Sequence, residues 1–173
     1  MKLVSSVAAI FAFALGTGAC FGQSTADVQL KSAEATALKE HKNVLVMFHA
    51  SWCGWCHKLE KLMASPQFKP LFDRNYVTVT VDVQEHDTAH PETPGGEALA
   101  QKLGAAGQGL PYYLILNPQG KTLKDSRNGA DGNIGYPAQP GEVSYFMSMI
   151  EITAPHATKS QLSELERFLR KKA

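Results

Sequence analysis

The segment that most constrains the fold runs from an apolar stretch into a pair of cysteines. Val44-Leu45-Val46-Met47-Phe48 is apolar and rich in β-branched residues, as in a strand buried on both faces of a parallel sheet. A polar turn separates it from Cys53-Gly54-Trp55-Cys56-His57, after which apolar residues recur at spacings of three and four. That spacing predicts an amphipathic helix of about ten residues. A buried strand, a tight turn, two cysteines and a helix therefore follow one another directly.

Two cysteines separated by two residues can close a small disulfide ring. If Cys53 opens the helix, its thiolate faces unpaired N–H groups and the positive end of the helix dipole. Both favour negative charge, lower the pKa of the thiol and make the pair reactive. We predict that Cys53 is the attacking thiol and that Cys56, one helical turn further on, is the resolving thiol. This chemistry calls for no bound cofactor and no metal ion.

Two other hypotheses remain open at this point. C-x-x-C-H is also the attachment signature of c-type haem, with His57 as one axial iron ligand and a methionine or histidine as the other. The cysteines of a binding module would instead be structural or would hold a metal. A zinc site would need two more ligands at characteristic spacing, and Cys20 is the only other cysteine.

The downstream pattern continues an α/β chain. Residues 77–82 predict a second buried strand, and residues 96–103 predict a helix. Pro111 heads a further apolar strand, where a missing N–H is tolerated. The turn signal at residues 117–121 predicts an antiparallel hairpin after that strand.

Helical spacing also predicts helices over residues 27–42, 142–152 and 161–172, and Ser65-Pro66 predicts the start of a short one. Strands that alternate with helices indicate a mixed sheet with helices on both faces, here with an extra C-terminal helix.

With these residues identified, the chain resembles the thioredoxin superfamily. The run MFHASWCGWCHKLE is most similar to the secreted thioredoxin-like branch, which includes the reducing domains of bacterial thiol-disulfide interchange proteins. The resemblance covers roughly residues 27–153 and implies a thioredoxin fold. It also implies a cis Leu110–Pro111 bond that faces the cysteines, and a position for Trp52 at the rim of the motif.

The implied activity is thiol-disulfide exchange between Cys53-Cys56 and the thiols and disulfides of other proteins. An upstream electron donor or acceptor would reset the pair. Strong oxidants of the superfamily often hold a histidine between the cysteines, whereas Gly54 and Trp55 supply no charge, so we expect a reductant or isomerase. Substrates are expected to contact Trp52, Trp55, Leu110 and Pro111.

One departure concerns proton transfer. In many thioredoxins a buried Asp lies six residues before the first cysteine, but that position is Met47 here, and a basic residue often found on the next strand is Thr78. The general base must then be water, a histidine near the motif or an acid such as Glu85. His57 and His49 are the candidate tuning residues.

The N-terminus has the features of a secretory signal. Lys2 precedes an apolar stretch and small residues, which predicts a signal peptide over residues 1–22 and one domain over residues 23–173. We expect a periplasmic or secreted protein, with a lipid anchor at Cys20 as the alternative. The chain has 17 basic and 16 acidic residues, so charge gives no reason to expect nucleic acid as a partner. No stretch after the signal is long enough to span a membrane.

Overall fold

A four-stranded mixed sheet organises the computed structural model, which describes residues 25–129 and 132–172. The strands lie in the order β2-β1-β3-β4. β1 runs parallel to β2 and antiparallel to β3, and β3 pairs antiparallel with β4. The elements, in chain order, are α1 Ala26–Glu40, β1 Asn43–His49, α2 Gly54–Ala64, α3 Lys69–Asn75, β2 Tyr76–Asp82, α4 Gly96–Lys102, β3 Tyr112–Leu116, β4 Thr122–Asp125, α5 Pro140–Thr153 and α6 Lys159–Lys172.

The two central strands are buried because helices cover both faces of the sheet. Leu45 and Met47 of β1 belong to the apolar cluster that α2, α3, α5 and α6 cover, whereas the alternate residues Val44, Val46 and Phe48 belong to the cluster under α1 and α4. Removal of each such side chain from water stabilises the fold by roughly 1.5–3 kcal/mol. The predicted mixed sheet with helices on both faces is therefore confirmed.

β2 differs from the expectation of a fully buried strand. It lies at the edge of the sheet, and its burial alternates, with Thr78 and Thr80 exposed. The threonines in Val-Thr-Val-Thr-Val follow the alternation of a strand with one solvated face. Periodicity alone does not distinguish such an edge strand from a central one when valines occupy every second position.

The short helix predicted after Ser65-Pro66 is present, and its regular part begins at Lys69. The Ser65 carbonyl accepts hydrogen bonds from the Phe68 and Lys69 N–H groups at 3.0 and 2.8 Å, so a helical turn does start at Ser65. Ser65 is also the C-cap residue of α2, where its hydroxyl donates to the Leu62 carbonyl at 2.8 Å. α3 begins at Lys69 and carries Pro70 in its first turn, where a missing N–H costs no helical hydrogen bond.

The extra C-terminal helix is present and packs into the core. Leu165 and Leu169 of α6 are fully buried, and Phe168 meets Phe68 edge to face at 5.1 Å between ring centroids. The predicted signal peptide lies outside the described residues. Within residues 25–129 and 132–172, no helix is both long enough and apolar enough to cross a bilayer.

Candidate active site

The two cysteines of the motif form a disulfide at the start of α2. Cys53 is the N-cap residue of the helix, and its Sγ accepts a hydrogen bond from the Cys56 N–H at 3.1 Å. The Cys53–Cys56 Cα distance is 5.3 Å. Cys53 is 4% exposed and Cys56 is completely buried. The end of β1, the turn and the helix start are therefore arranged as the sequence predicts.

The helix start provides an environment that favours a thiolate at Cys53. The first turn of α2 contains no acidic residue, and its N–H groups and dipole point their positive ends at the Cys53 sulfur. After reduction, the Cys56 N–H bond would remain available to the Cys53 thiolate as a charge-assisted hydrogen bond.

The loop before β3 lies against the disulfide. The Leu110–Pro111 bond is cis, as the family resemblance implies, and Leu110 packs on the cluster formed by Ala50, Cys53 and Cys56. Asn133 holds this loop through its Nδ2, which donates to the Gly109 carbonyl at 2.5 Å and the Pro111 carbonyl at 3.1 Å. One amide side chain thus fixes the backbone on both sides of Leu110.

Trp52 is a surface residue rather than part of the core. Its side chain is 50% exposed and stacks on His86, with ring centroids 5.0 Å apart. Its Nε1–H donates to the Gln84 carbonyl at 2.7 Å. These two contacts fix the ring next to Cys53 with one edge open to solvent.

Trp55 forms the other wall of the rim. It is 49% exposed and stacks on Tyr136, with centroids 5.8 Å apart and planes 22° apart. The Lys58 ammonium lies 3.8 Å from the Trp55 ring centroid, within cation–π distance. Trp55, Tyr136, Leu110 and neighbouring residues line a shallow cleft of about 270 Å³ beside the cysteines.

A polar cluster joins His49 and His57 on the helix side of the motif. His49 Nδ1 lies 2.9 Å from the Asp82 carboxylate, and its Nε2 lies 3.5 Å from Glu60 Oε2. His57 Nδ1 lies 3.2 Å from the same Glu60 oxygen, and its Nε2 lies 2.8 Å from the Ser51 carbonyl. The bond to Ser51, followed by the bond to Glu60, raises the pKa of His57 above its ordinary value.

Glu85 is hydrogen-bonded to Ser51 in the turn before Cys53. Its two carboxylate oxygens accept hydrogen bonds of 2.6 Å from the Ser51 N–H and hydroxyl. The hydroxyl bond is the main reason that the pKa of Glu85 is lowered. Met47, at the position of the family's buried acid, is completely buried among apolar side chains.

Glu60, Asp82 and Tyr136 are site neighbours to which the sequence pattern assigns no role. Glu60 is three residues after His57 on the same helix, a spacing that brings side chains together. His49 and Asp82 end adjacent strands and are register partners. The first signal is present in the sequence, and the second becomes readable once the strand pairing is known. The contact between Tyr136 and Trp55 comes from an irregular loop and leaves no local signal.

The haem hypothesis does not fit this geometry. Covalent attachment needs both sulfur atoms where a porphyrin can reach them, and Cys56 is completely buried.

Comparisons with known proteins agree with this architecture. A family model described as thioredoxin-like matches residues 25–118, which is more than half of the chain. The chain is 34% identical over 88 residues to the thiol:disulfide interchange protein DsbD of Photorhabdus laumondii. The alignment covers 50% of this chain and 14% of that protein, so the chain spans a small part of that relative's length.

Among solved structures, the crystal structure of a disulphide isomerase from Xylella fastidiosa is similar in fold. The TM-score is 0.53 at 21% sequence identity, and the match covers 86% of this chain and 91% of that one. At this identity the likeness establishes the shared architecture.

Proposed function

The chain belongs to the thioredoxin-like family, and from that premise we propose that it is an exported thiol-disulfide oxidoreductase acting on protein cysteines. The observation that carries the proposal is the Cys53–Cys56 disulfide at the N-terminus of α2, where the Cys53 Sγ accepts the Cys56 N–H. The similarity to a thiol:disulfide interchange protein supports the same reaction class.

In the proposed reaction, the reduced protein donates two electrons to a substrate disulfide. The Cys53 thiolate attacks one substrate sulfur, a mixed disulfide forms, and the other substrate sulfur leaves as a thiolate that takes a proton from solvent. Cys56 then loses its proton and attacks the Cys53 sulfur. The mixed disulfide breaks, the substrate leaves with two thiols, and the protein keeps the Cys53–Cys56 disulfide. An upstream dithiol would return the protein to its reduced state.

The direction that we propose is reduction or isomerisation. Gly54 and Trp55 place no charged side chain between the cysteines, so no cation there adds to the stabilisation that the helix start gives the Cys53 thiolate. The more strongly a thiolate is stabilised, the more oxidising its disulfide becomes. A pair without an added cation is therefore suited to giving electrons away.

Substrates are proposed to bind on the rim formed by Trp52, Trp55, Leu110 and Pro111. The half-exposed indole rings offer apolar surface on either side of the disulfide. The cleft between Trp55 and Leu110 could receive an apolar side chain of an unfolded segment. We propose that His49 and His57 tune the reactivity of the cysteine pair from the side of the motif opposite this cleft.

Export is proposed from the N-terminal sequence. Residues 1–22 would form the signal and residues 23–173 the mature domain, in the periplasm or outside the cell. In such compartments a disulfide persists unless a donor reduces it, which accounts for the upstream donor in the proposed cycle.

An equilibrium titration in glutathione redox buffers tests the proposed activity. We expect a reversible two-electron transition between dithiol and disulfide, followed by tryptophan fluorescence and by alkylation of free thiols. The midpoint should be clearly more reducing than that of a strong oxidant, about −120 mV, and a Cys53→Ser/Cys56→Ser variant should show no transition. A disulfide that stays closed in every buffer would contradict the redox function, and a midpoint at or above about −120 mV would contradict the direction.

A further inference from the structure

Three side chains beside the motif converge on one point. His49 ends β1, whereas His57 and Glu60 lie one turn apart on α2, and one nitrogen or oxygen atom of each lies within 4.8 Å of the other two. The Glu60 Oε2 is shared, since it lies 3.5 Å from His49 Nε2 and 3.2 Å from His57 Nδ1.

The hydrogen bonds to Ser51 and Asp82 set the tautomers of the two histidines. In each ring, the nitrogen that faces Glu60 is the one without a hydrogen. The Ser51 carbonyl is an acceptor only, so His57 Nε2 must donate to it at 2.8 Å. The Asp82 carboxylate likewise takes the hydrogen of His49 Nδ1 at 2.9 Å. In the neutral rings, His57 Nδ1 and His49 Nε2 therefore both present a lone pair to the negatively charged Glu60 oxygen.

His49 Nε2 is a buried polar atom that faces the Glu60 carboxylate, and a cation between them would give it a partner. His49 is more than nine-tenths buried, and within residues 25–129 and 132–172 its Nε2 has no hydrogen-bond partner. A buried polar atom without a partner costs about 1–3 kcal/mol.

We propose that His49 Nε2, His57 Nδ1 and Glu60 Oε2 form a three-ligand site for a divalent metal ion of the zinc type. Tetrahedral zinc with ligand bonds of about 2.0–2.1 Å places its ligands about 3.3–3.4 Å apart. The distances of 3.2 and 3.5 Å from the Glu60 oxygen to the two nitrogens match that spacing. Imidazole and carboxylate are ligands that zinc accepts readily.

The surroundings supply what such a site needs beyond its three ligands. Each histidine is oriented by a hydrogen bond from its other ring nitrogen, one to a carboxylate and one to a backbone carbonyl. The charges of Glu60 and Asp82 together balance that of a divalent cation. The side chains of His57 and Glu60 are 44% and 37% exposed, which leaves an entry path and room for water as the fourth ligand.

Calorimetric titration of zinc into the untagged, oxidised protein at neutral pH tests the site. The closed disulfide removes the cysteines as competing ligands, and prior treatment with a chelator removes any bound metal. We expect one zinc ion per chain with micromolar or tighter affinity. Glu60→Gln and His57→Gln, which change exposed side chains, should weaken binding at least about tenfold, and Asp82→Asn should weaken it about 10–100-fold.

His90→Gln is the matched control. His90 forms a histidine–carboxylate pair with Asp87 at the same three-residue spacing, but on the exposed loop, and its loss should leave zinc affinity unchanged. Circular dichroism checks that each variant is folded. No His49 variant is needed, because His57 and Glu60 are exposed ligands of the same proposed site. Cobalt in place of zinc should give the visible spectrum of a tetrahedral nitrogen and oxygen site.

Three results would each overturn the proposal. They are zinc binding weaker than micromolar in the oxidised protein, equal zinc affinity in His57→Gln, Glu60→Gln and the parent, or an octahedral cobalt spectrum. None of them bears on the glutathione titration, which tests the redox function separately.

Discussion

The indole ring of Trp55 stacks on the phenol ring of Tyr136, with centroids 5.8 Å apart and planes 22° apart. Trp55 comes from the redox motif, whereas Tyr136 comes from the loop before α5. The contact joins the cysteine-bearing helix start to a segment far along the chain, and it fixes an aromatic surface next to Cys53 before any substrate binds.

Trp55→Ala should slow the reduction of an unfolded protein disulfide about two- to tenfold, the equivalent of one aromatic contact. The reaction with oxidised glutathione, which is too small to span the rim, should change less. Stopped-flow fluorescence can follow both reactions. Ile152→Ala, at an exposed apolar residue of α5, is the control and should leave both rates unchanged. Equal slowing of the two reactions would mean that Trp55 tunes the thiols instead of binding substrate.

Cys53 should react with a small alkylating agent faster than Cys56 in the reduced protein at mildly acidic pH. The Cys53 sulfur lies at the helix N-terminus and accepts the Cys56 N–H, whereas Cys56 is completely buried within α2. Mass spectrometry of peptides after a short labelling pulse measures the two rates. Preferential labelling of Cys56 would reverse the assignment of attacking and resolving thiols.

Asn133→Ala should lower the free energy of unfolding by about 1–3 kcal/mol, because it removes the donor for the Gly109 and Pro111 carbonyls. Asn133→Asp keeps the oxygen that accepts from Ser126 and Gly135 but loses the same donor, so it should be destabilised as well. Urea unfolding measures both variants. Full stability of Asn133→Asp would show that the donor does not hold the loop.

Met47→Asp should destabilise the fold by more than about 3 kcal/mol, because it would place a carboxylate at a completely buried position within an apolar cluster. Met47→Leu, which nearly conserves volume, should cost less than about 1.5 kcal/mol. Urea unfolding again gives both values. If the aspartate were as well tolerated as the leucine, the site would have room for the acid that many thioredoxins carry there.

The tyrosines should resist ionisation in the folded protein. Burial raises the pKa of Tyr112 to about 12 and raises the pKa values of Tyr76, Tyr113, Tyr136 and Tyr145 above the ordinary value. Because tyrosines of the unfolded chain ionise near pH 10, their contribution to the free energy of unfolding should be constant below that pH and fall above it. Tyrosinate absorbance, with the denatured protein as control, measures the difference. A normal titration in the folded state would contradict the burial.

The local sequence pattern is sufficient to predict the structure of the segment that contains the two cysteines. The apolar run of β1, the turn and the spacing of Leu59 and Leu62 in α2 are all encoded within about twenty residues, and each appears in the structure where the sequence predicts it. The sequence also predicts that Pro111 precedes a strand, and the family resemblance implies that its peptide bond is cis.

Features that depend on the pairing of distant segments cannot be predicted from local sequence pattern. The edge position of β2 follows from strand order, which no local pattern specifies. The polar cluster needs the register that sets His49 opposite Asp82. None of these relationships leaves a signature within a window of neighbouring residues.

The segment that the family model matches ends at residue 118. The hydrophobic core also includes residues of α5 and α6, which follow that segment. Leu59 and Leu62 on the cysteine-bearing helix share one apolar cluster with Val143 and Phe146 of α5 and with Leu165 of α6. A chain cut after β3 would expose that face of the sheet and of α2 to water. The redox motif and the last two helices therefore belong to a single cooperative folding unit, and a minimal active fragment must reach the end of α6.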